Sequence, residues 1–142
     1  MDFASDNATG ASPVILEALV AANSGAEPAY GADRHTKRAE ALLSEFFERE
    51  VAAFLVATGT ASNALALAAL TPPWGAVFCH EDAHIANDEC GAPEMMSGGA
   101  KLIGMPGEAG RIAPQTFRET LAAFPRGLVK QVQPAALSLS QA

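Results

Sequence analysis

The run Phe54-Leu55-Val56-Ala57-Thr58-Gly59-Thr60-Ala61-Ser62-Asn63 constrains this chain more than any other stretch. A short apolar segment enters a Thr-Gly-Thr corner and an Ala/Leu-rich segment leaves it, which reads as strand, tight turn and helix start. The first N–H groups of a new helix have no partner within it, and Gly59 has no side chain to block an approaching anion. The corner is therefore a seat for a phosphate. The same residues also fit an ordinary turn in which glycine only relieves the backbone, and the corner alone leaves both readings open.

Beyond the corner, short apolar runs alternate with helical segments. Residues 52–56, 76–79 and 102–105 read as strands, with residues 128–132 and 136–139 as further extended segments. Helices are expected over 61–70, stopped by Pro72-Pro73, over 84–90, and over 114–124 with Phe117, Leu121 and Phe124 facing inward. Strands alternating with helices predict an α/β fold with a mostly parallel sheet and helices on both faces. Phe54, Val56, Leu65, Leu67, Val77 and Phe78 should then be buried, since doubly covered strands read as continuous apolar runs. Ligands of such sheets bind at the carboxyl ends of strands. The 58–60 corner and the segment from His80 to His84 both fall there.

The first 50 residues are of another kind. A polar lead over residues 1–11 precedes Ser12-Pro13, a helix cap followed by proline at the first helical position. Ile15, Ala18, Leu19 and Ala22 then follow helical spacing until Asn23-Ser24-Gly25. After a Gly/Pro/Tyr loop, Asp33 caps a second helix whose stripe of Ala39, Leu42, Leu43, Phe46 and Phe47 is expected to be core. The division is a helical lead-in over 1–50 and a βαβ segment over 51–142.

A net charge of −7 and scattered Lys and Arg argue against nucleic acid as a partner. No segment reads as a secretory signal or approaches bilayer-spanning length. Cys79 and Cys90 form no disulfide framework, and reduced thiols in a cytoplasmic protein are expected.

His80-Glu81-Asp82-Ala83-His84 matches the H-E-x-x-H zinc signature. That signature needs both imidazoles on one face of a continuous helix. Here the apolar run 76–79 makes His80 a strand end, so no bound metal is expected, and a zinc hydrolase stands as a minor alternative.

These segments together resemble the low-specificity threonine aldolase and aromatic amino-acid β-eliminating lyase family of pyridoxal-phosphate (PLP) enzymes, whose fold is the fold type I, aspartate-aminotransferase-like one. The matching residues are Ser5-Asp6-Asn7, Tyr30-Gly31-Ala32-Asp33, the run from Phe54 to Asn63, Ala83-His84-Ile85 with Glu89, and Arg111-Ile112-Ala113-Pro114. The resemblance implies that Thr58, Gly59 and Thr60 cup the cofactor phosphate and that His84 stacks on the pyridine ring. It further implies that Ser5 lies by the substrate carboxylate, that Glu89 lines the substrate site, and that Tyr30 lies near the active site at a subunit boundary. Thr58, Asn7 and Ala83 stand where the family usually has serine, threonine and serine.

The implied activity is retro-aldol cleavage of threonine or another β-hydroxy-α-amino acid to glycine and an aldehyde. Such chemistry needs a Schiff-base lysine, and Lys37, Lys101 and Lys130 all lack the family's Ser-rich setting for it. The resemblance ends at Ser138-Leu139-Ser140-Gln141-Ala142. The chain is therefore expected to be the N-terminal portion of such an enzyme, inactive in isolation and associating with a second copy or a complementary C-terminal half. The alternative is a catalytically inactive module that binds only cofactor or a homologous subunit.

Overall fold

The computed structural model describes residues 8–140, in two units divided between Phe54 and Leu55. The unit ending at Phe54 carries two helices. Helix α1, Pro13–Ala22, has proline in its first turn as expected, but Ser12 makes no side-chain cap bond. Helix α2, Arg34–Phe46, is capped by Asp33, which accepts from the N–H groups of His35 and Thr36 at 2.9 and 2.8 Å. The Thr36 hydroxyl donates to the same carboxylate at 2.7 Å, and this bond, ahead of the backbone ones, holds Asp33 below its ordinary pKa. The stripe of α2 is not core: Leu42, Leu43, Phe46 and Phe47 are all exposed, as are Ile15 and Leu19 of α1. Helical spacing identifies an apolar face without specifying what covers it.

The unit from Leu55 is built on a three-stranded parallel sheet in the order β2-β1-β3, comprising β1 (Gly75–His80), β2 (Lys101–Met105) and β3 (Gln133–Leu137). Every residue of β1 is buried. Its alternate side chains serve two cores. Val77 and Cys79 pack with Leu67 of helix α3 (Gly59–Leu70), Ile85 of the short helix α4 (His84–Asn87) and Ala100. On the opposite face Phe78 and Met105 pack with Phe117 and Leu121 of helix α6 (Pro114–Ala122) and with Phe124. Phe78 meets the rings of Phe117 and Phe124 edge-on, at centroid separations of 6.0 and 5.4 Å. The expected α/β architecture, with helices on both faces of a parallel sheet, is what forms.

Gly75 has a specific reason to be glycine. It starts β1 directly after a turn closed by its own N–H on the Pro72 carbonyl at 2.7 Å. A Cβ there would stand 2.5 Å from Thr71 Cγ2 and 2.9 Å from the Pro72 oxygen. After β1 the chain forms α4, reverses through Cys90 and Gly91 at positive φ (51° and 71°), and forms helix α5, Ala92–Met96, which lies against α3.

Several expectations are corrected. Residues 52–56 form no strand: Phe54 is 87% exposed, and Leu55 and Val56 are also exposed. A strand exists only through a paired neighbour, and no described strand pairs with this run. Leu65 is exposed, whereas Leu67, Val77 and Phe78 are buried as expected. The helix foreseen over 84–90 stops at Asn87, and α5 follows as a separate turn. Residues 128–132 are turns rather than strand, because the Gln133 side chain satisfies their backbone in place of a ladder. It donates to the carbonyls of Leu128 and Gln131 and accepts from Gly127 N–H. Strand β3 starts at Gln133, three residues earlier than expected, and accommodates Pro134 by a register shift opposite Ala76 and Val77.

Two measurements check this packing. Phe78→Ala should destabilise the protein by about 3–5 kcal/mol in urea unfolding, because it empties the centre of one core, while Phe54→Ala should change little. Cys79 is buried and Cys90 exposed. Burial, with the Glu94 carboxylate adding to it, pushes the Cys79 thiol above its ordinary value of 9.0. A thiol reagent at neutral pH should modify Cys90 alone in the folded protein and both cysteines in urea. The unfolded chain releases the Cys79 proton first, so this group's contribution to stability is present below pH 9.0 and falls as pH rises through the higher folded value.

Candidate functional site

The carboxyl ends of all three strands converge on one cavity of about 650 Å³. The end of β1 and the start of α4 contribute His80, Asp82, Ala83, His84 and Asp88; the turn after β2 contributes Ala109, Gly110 and Arg111; the segment after β3 contributes Ser140. This is where a parallel α/β sheet is open, since the side chains that fill its middle run out there.

The turn after β2 is tight. Glu108 and Arg111 pair across it, with Ala109 and Gly110 at positive φ. At its base, Gly107 faces the Arg111 carbonyl and the His80 ring closely enough that a Cβ would overlap the former and stand 2.9 Å from His80 Cδ2. His80 is buried in consequence. Its Nδ1 accepts the Asp82 N–H at 3.0 Å, and its Nε2 is buried without a partner among the described residues. With the Nδ1 lone pair engaged, the 3.8 Å approach to the Asp82 carboxylate is not an ion pair.

His84 differs. It opens α4 with its side chain 60% exposed, and its Nδ1 lies 2.8 Å from Oε1 of Glu89, whose side chain is 0% exposed. A carboxylate only accepts, so the proton of this bond is on Nδ1, and Nε2 is left outside it. Glu89 Oε1 also accepts from Asn63 Nδ2 at 2.6 Å, while Oε2 is buried without a partner among the described residues. His80 and His84 thus occupy a strand and a helix, and the one-helix arrangement of the zinc signature is not formed. Among the described residues no cluster of three or more His, Cys, Asp or Glu side chains could hold a metal ion.

The 58–60 corner opens α3 as expected, though irregular chain and not a strand leads into it. Thr58 caps the helix, its hydroxyl oxygen accepting the Ala61 N–H at 3.1 Å. The N–H groups of Gly59 and Thr60, at the first two helical positions, remain available. A Cβ at Gly59 would meet nothing within 4 Å, so the space in front of the corner is open. Two donors with no partner among the described residues, a hydroxyl at each end and an unobstructed face are features that suit an anion.

The sequence-expected residues therefore divide. Thr58, Gly59, Thr60, His84 and Glu89 all belong to the unit from Leu55, and Asn63 links its helix to the His84–Glu89 pair. The corner itself does not line the cavity. Glu89 is buried beneath His84 and presents no surface to a substrate. Tyr30 belongs to the other unit, at positive φ (61°) with its ring fully exposed. Ser5 lies outside the described residues. Asn63 and Arg111 also belong here, Asn63 on the buried Glu89 and Arg111 at the cavity. The spacing of Asn63 four residues after Gly59, on the same helix face, was the available signal for it.

The likenesses to known proteins agree with this arrangement. A family model described as beta-eliminating lyase matches residues 2–142. The chain is 41% identical over 140 residues to a low specificity L-threonine aldolase of Pseudomonas aeruginosa and 40% identical to one from a Pseudomonas species. Each alignment takes in 99% of this chain and 40% of the relative, so the chain spans about 40% of the length of these curated relatives. A solved threonine aldolase of Leishmania major superimposes with a TM-score of 0.84 at 27% identity, over 94% of this chain and 38% of that one. The parallel sheet with helices on both faces is accordingly the N-terminal part of a fold type I large domain. On its sequence and its fold, the chain belongs to the beta-eliminating lyase family of PLP-dependent enzymes.

Proposed function

We propose that this chain holds the phosphate and faces the ring of PLP in a lyase that cleaves threonine or a related β-hydroxy-α-amino acid to glycine and an aldehyde. The observation that carries the reading is His84, an exposed imidazole whose Nδ1–H is fixed on a buried carboxylate and whose support reaches the open N-terminus of α3. PLP, when bound, supplies an electron sink for the pair released as the Cα–Cβ bond breaks.

The chain's own residues would do the following. The N–H groups of Gly59 and Thr60 donate to phosphate oxygens, with the Thr58 and Thr60 hydroxyls beside them. The His84 ring offers a face for stacking, and its Nε2 lone pair can take the proton of a substrate β-hydroxyl. Glu89, lacking exposed surface, acts through His84 by holding the proton on Nδ1 and stabilising the ring once Nε2 is protonated. Tyr30 and Ser5 enter as substrate contacts on the family resemblance. Association with a second copy belongs to the same proposal, and the exposed apolar residues of α1 and α2 favour it.

Gly59→Val tests the phosphate seat. Because a side chain there projects into open space, the variant should fold with an unchanged melting temperature. Filling the approach should weaken PLP by about tenfold or more, roughly 1.4 kcal/mol, in an absorbance titration. Unchanged affinity in the folded variant would remove the corner from the site.

A further inference from the structure

We infer that Asn63 is a positioning residue that locks Glu89, and through it the tautomer of His84, to the helix whose N-terminus faces the phosphate. The inference rests on the role given to His84 above. Two donors converge on one buried oxygen: Asn63 Nδ2 at 2.6 Å and His84 Nδ1 at 2.8 Å, both to Glu89 Oε1. The other oxygen, Oε2, has no partner among the described residues. A carboxylate with no exposed surface needs donors, since burial without them costs several kcal/mol. His84 alone is a weaker anchor, because its side chain is 60% exposed and water can compete for the same bond. Asn63 supplies the second donor from a rigid helix.

The position also matters. Asn63 lies four residues after Gly59 in α3, one turn along and on the same face. A bond from Asn63 therefore fixes Glu89 relative to the N–H groups that open the helix. Glu89 reaches α3 from outside it, at the end of the α4 segment and just before the left-handed pair Cys90-Gly91. The amide suits this place better than near isosteres. An aspartate would set a second negative charge against Glu89, and a leucine would leave Oε1 with the solvent-exposed imidazole as its one donor.

The test uses the ligand-free protein with 15N-labelled histidine. The His84 ring should appear as the Nδ1–H tautomer, and Asn63→Ala should shift it toward the mixed tautomers of a free imidazole. In the same pair of proteins, PLP should bind the variant about tenfold more weakly, while inorganic phosphate should lose less than about twofold, since the helix N–H groups are untouched. An unaltered His84 tautomer in folded Asn63→Ala would overturn the inference. If that variant does not fold, exchange of the Asn63 side-chain NH2 in the unmodified protein decides. Exchange about tenfold or more slower than an exposed amide supports the bond to Glu89, and exchange at the exposed rate overturns it. Failure of the unmodified protein to bind PLP at all would remove the cofactor reading, while the tautomer and exchange measurements would still judge Asn63.

Discussion

The unit from Leu55 depends on the burial of β1 from both sides. Gly75-Ala76-Val77-Phe78-Cys79-His80 has no exposed residue, and its two sets of side chains make the two cores. Because the strand is central, β2 and β3 take their register from it, and α3 and α6 dock on the surfaces it completes. The end of such a strand is where burial must give way to chemistry. His80 is the last residue of that run, His84 stands four residues beyond, and the cavity opens between them and the turns that follow β2 and β3.

A second constraint is charge. Glu89 is a carboxylate with no exposed surface, and the structure meets its need for donors by bringing together groups from α3 and α4. An apolar pair could fill the same volume, but it could not accept the hydrogen bonds of Asn63 and His84. In Asn63, Glu89 and His84 the donors that the buried carboxylate requires are the same groups that tie α3 to α4.

How much of this was legible in the sequence follows from what periodicity measures. The run 76–79 announced a strand covered on both sides because continuous apolarity has few other uses. Asp33 and the Pro72-Pro73 stop marked helix ends by local chemistry, which needs no tertiary partner. Phe54 and Val56 show the limit: their apolarity was plain, but a strand also needs a neighbour's backbone, and no local pattern records one. The α2 stripe failed in the same way, since Leu42 and Phe46 share a face that nothing covers among the described residues. The turns over 128–132 were hidden because they are held by one side chain, Gln133, through the Leu128 and Gln131 carbonyls and the Gly127 N–H. For the site, residue types pointed to Thr58, Gly59 and Thr60, whereas His84 and Glu89 were marked only by the family resemblance. The burial of Glu89 under His84 depends on the reversal at Cys90-Gly91, where the non-glycine member disguises the turn.

The register shift in β3 carries a consequence of its own. Pro134 lies opposite Ala76, but Val77 already faces Ala136, so Ala135 is supernumerary in the ladder. One surplus residue inverts the parity of everything downstream. It gives Ala136 to the core that holds Val77, sets Ser138 N–H on the Phe78 carbonyl at 2.8 Å, and brings Ser140 to the cavity wall. Were the same sequence to pair without the bulge, with Ala135 opposite Val77, composition and hydropathy would be unchanged while the rest of the strand exchanged its two faces. In this part of the chain, the count of residues carries more structural information than their identity.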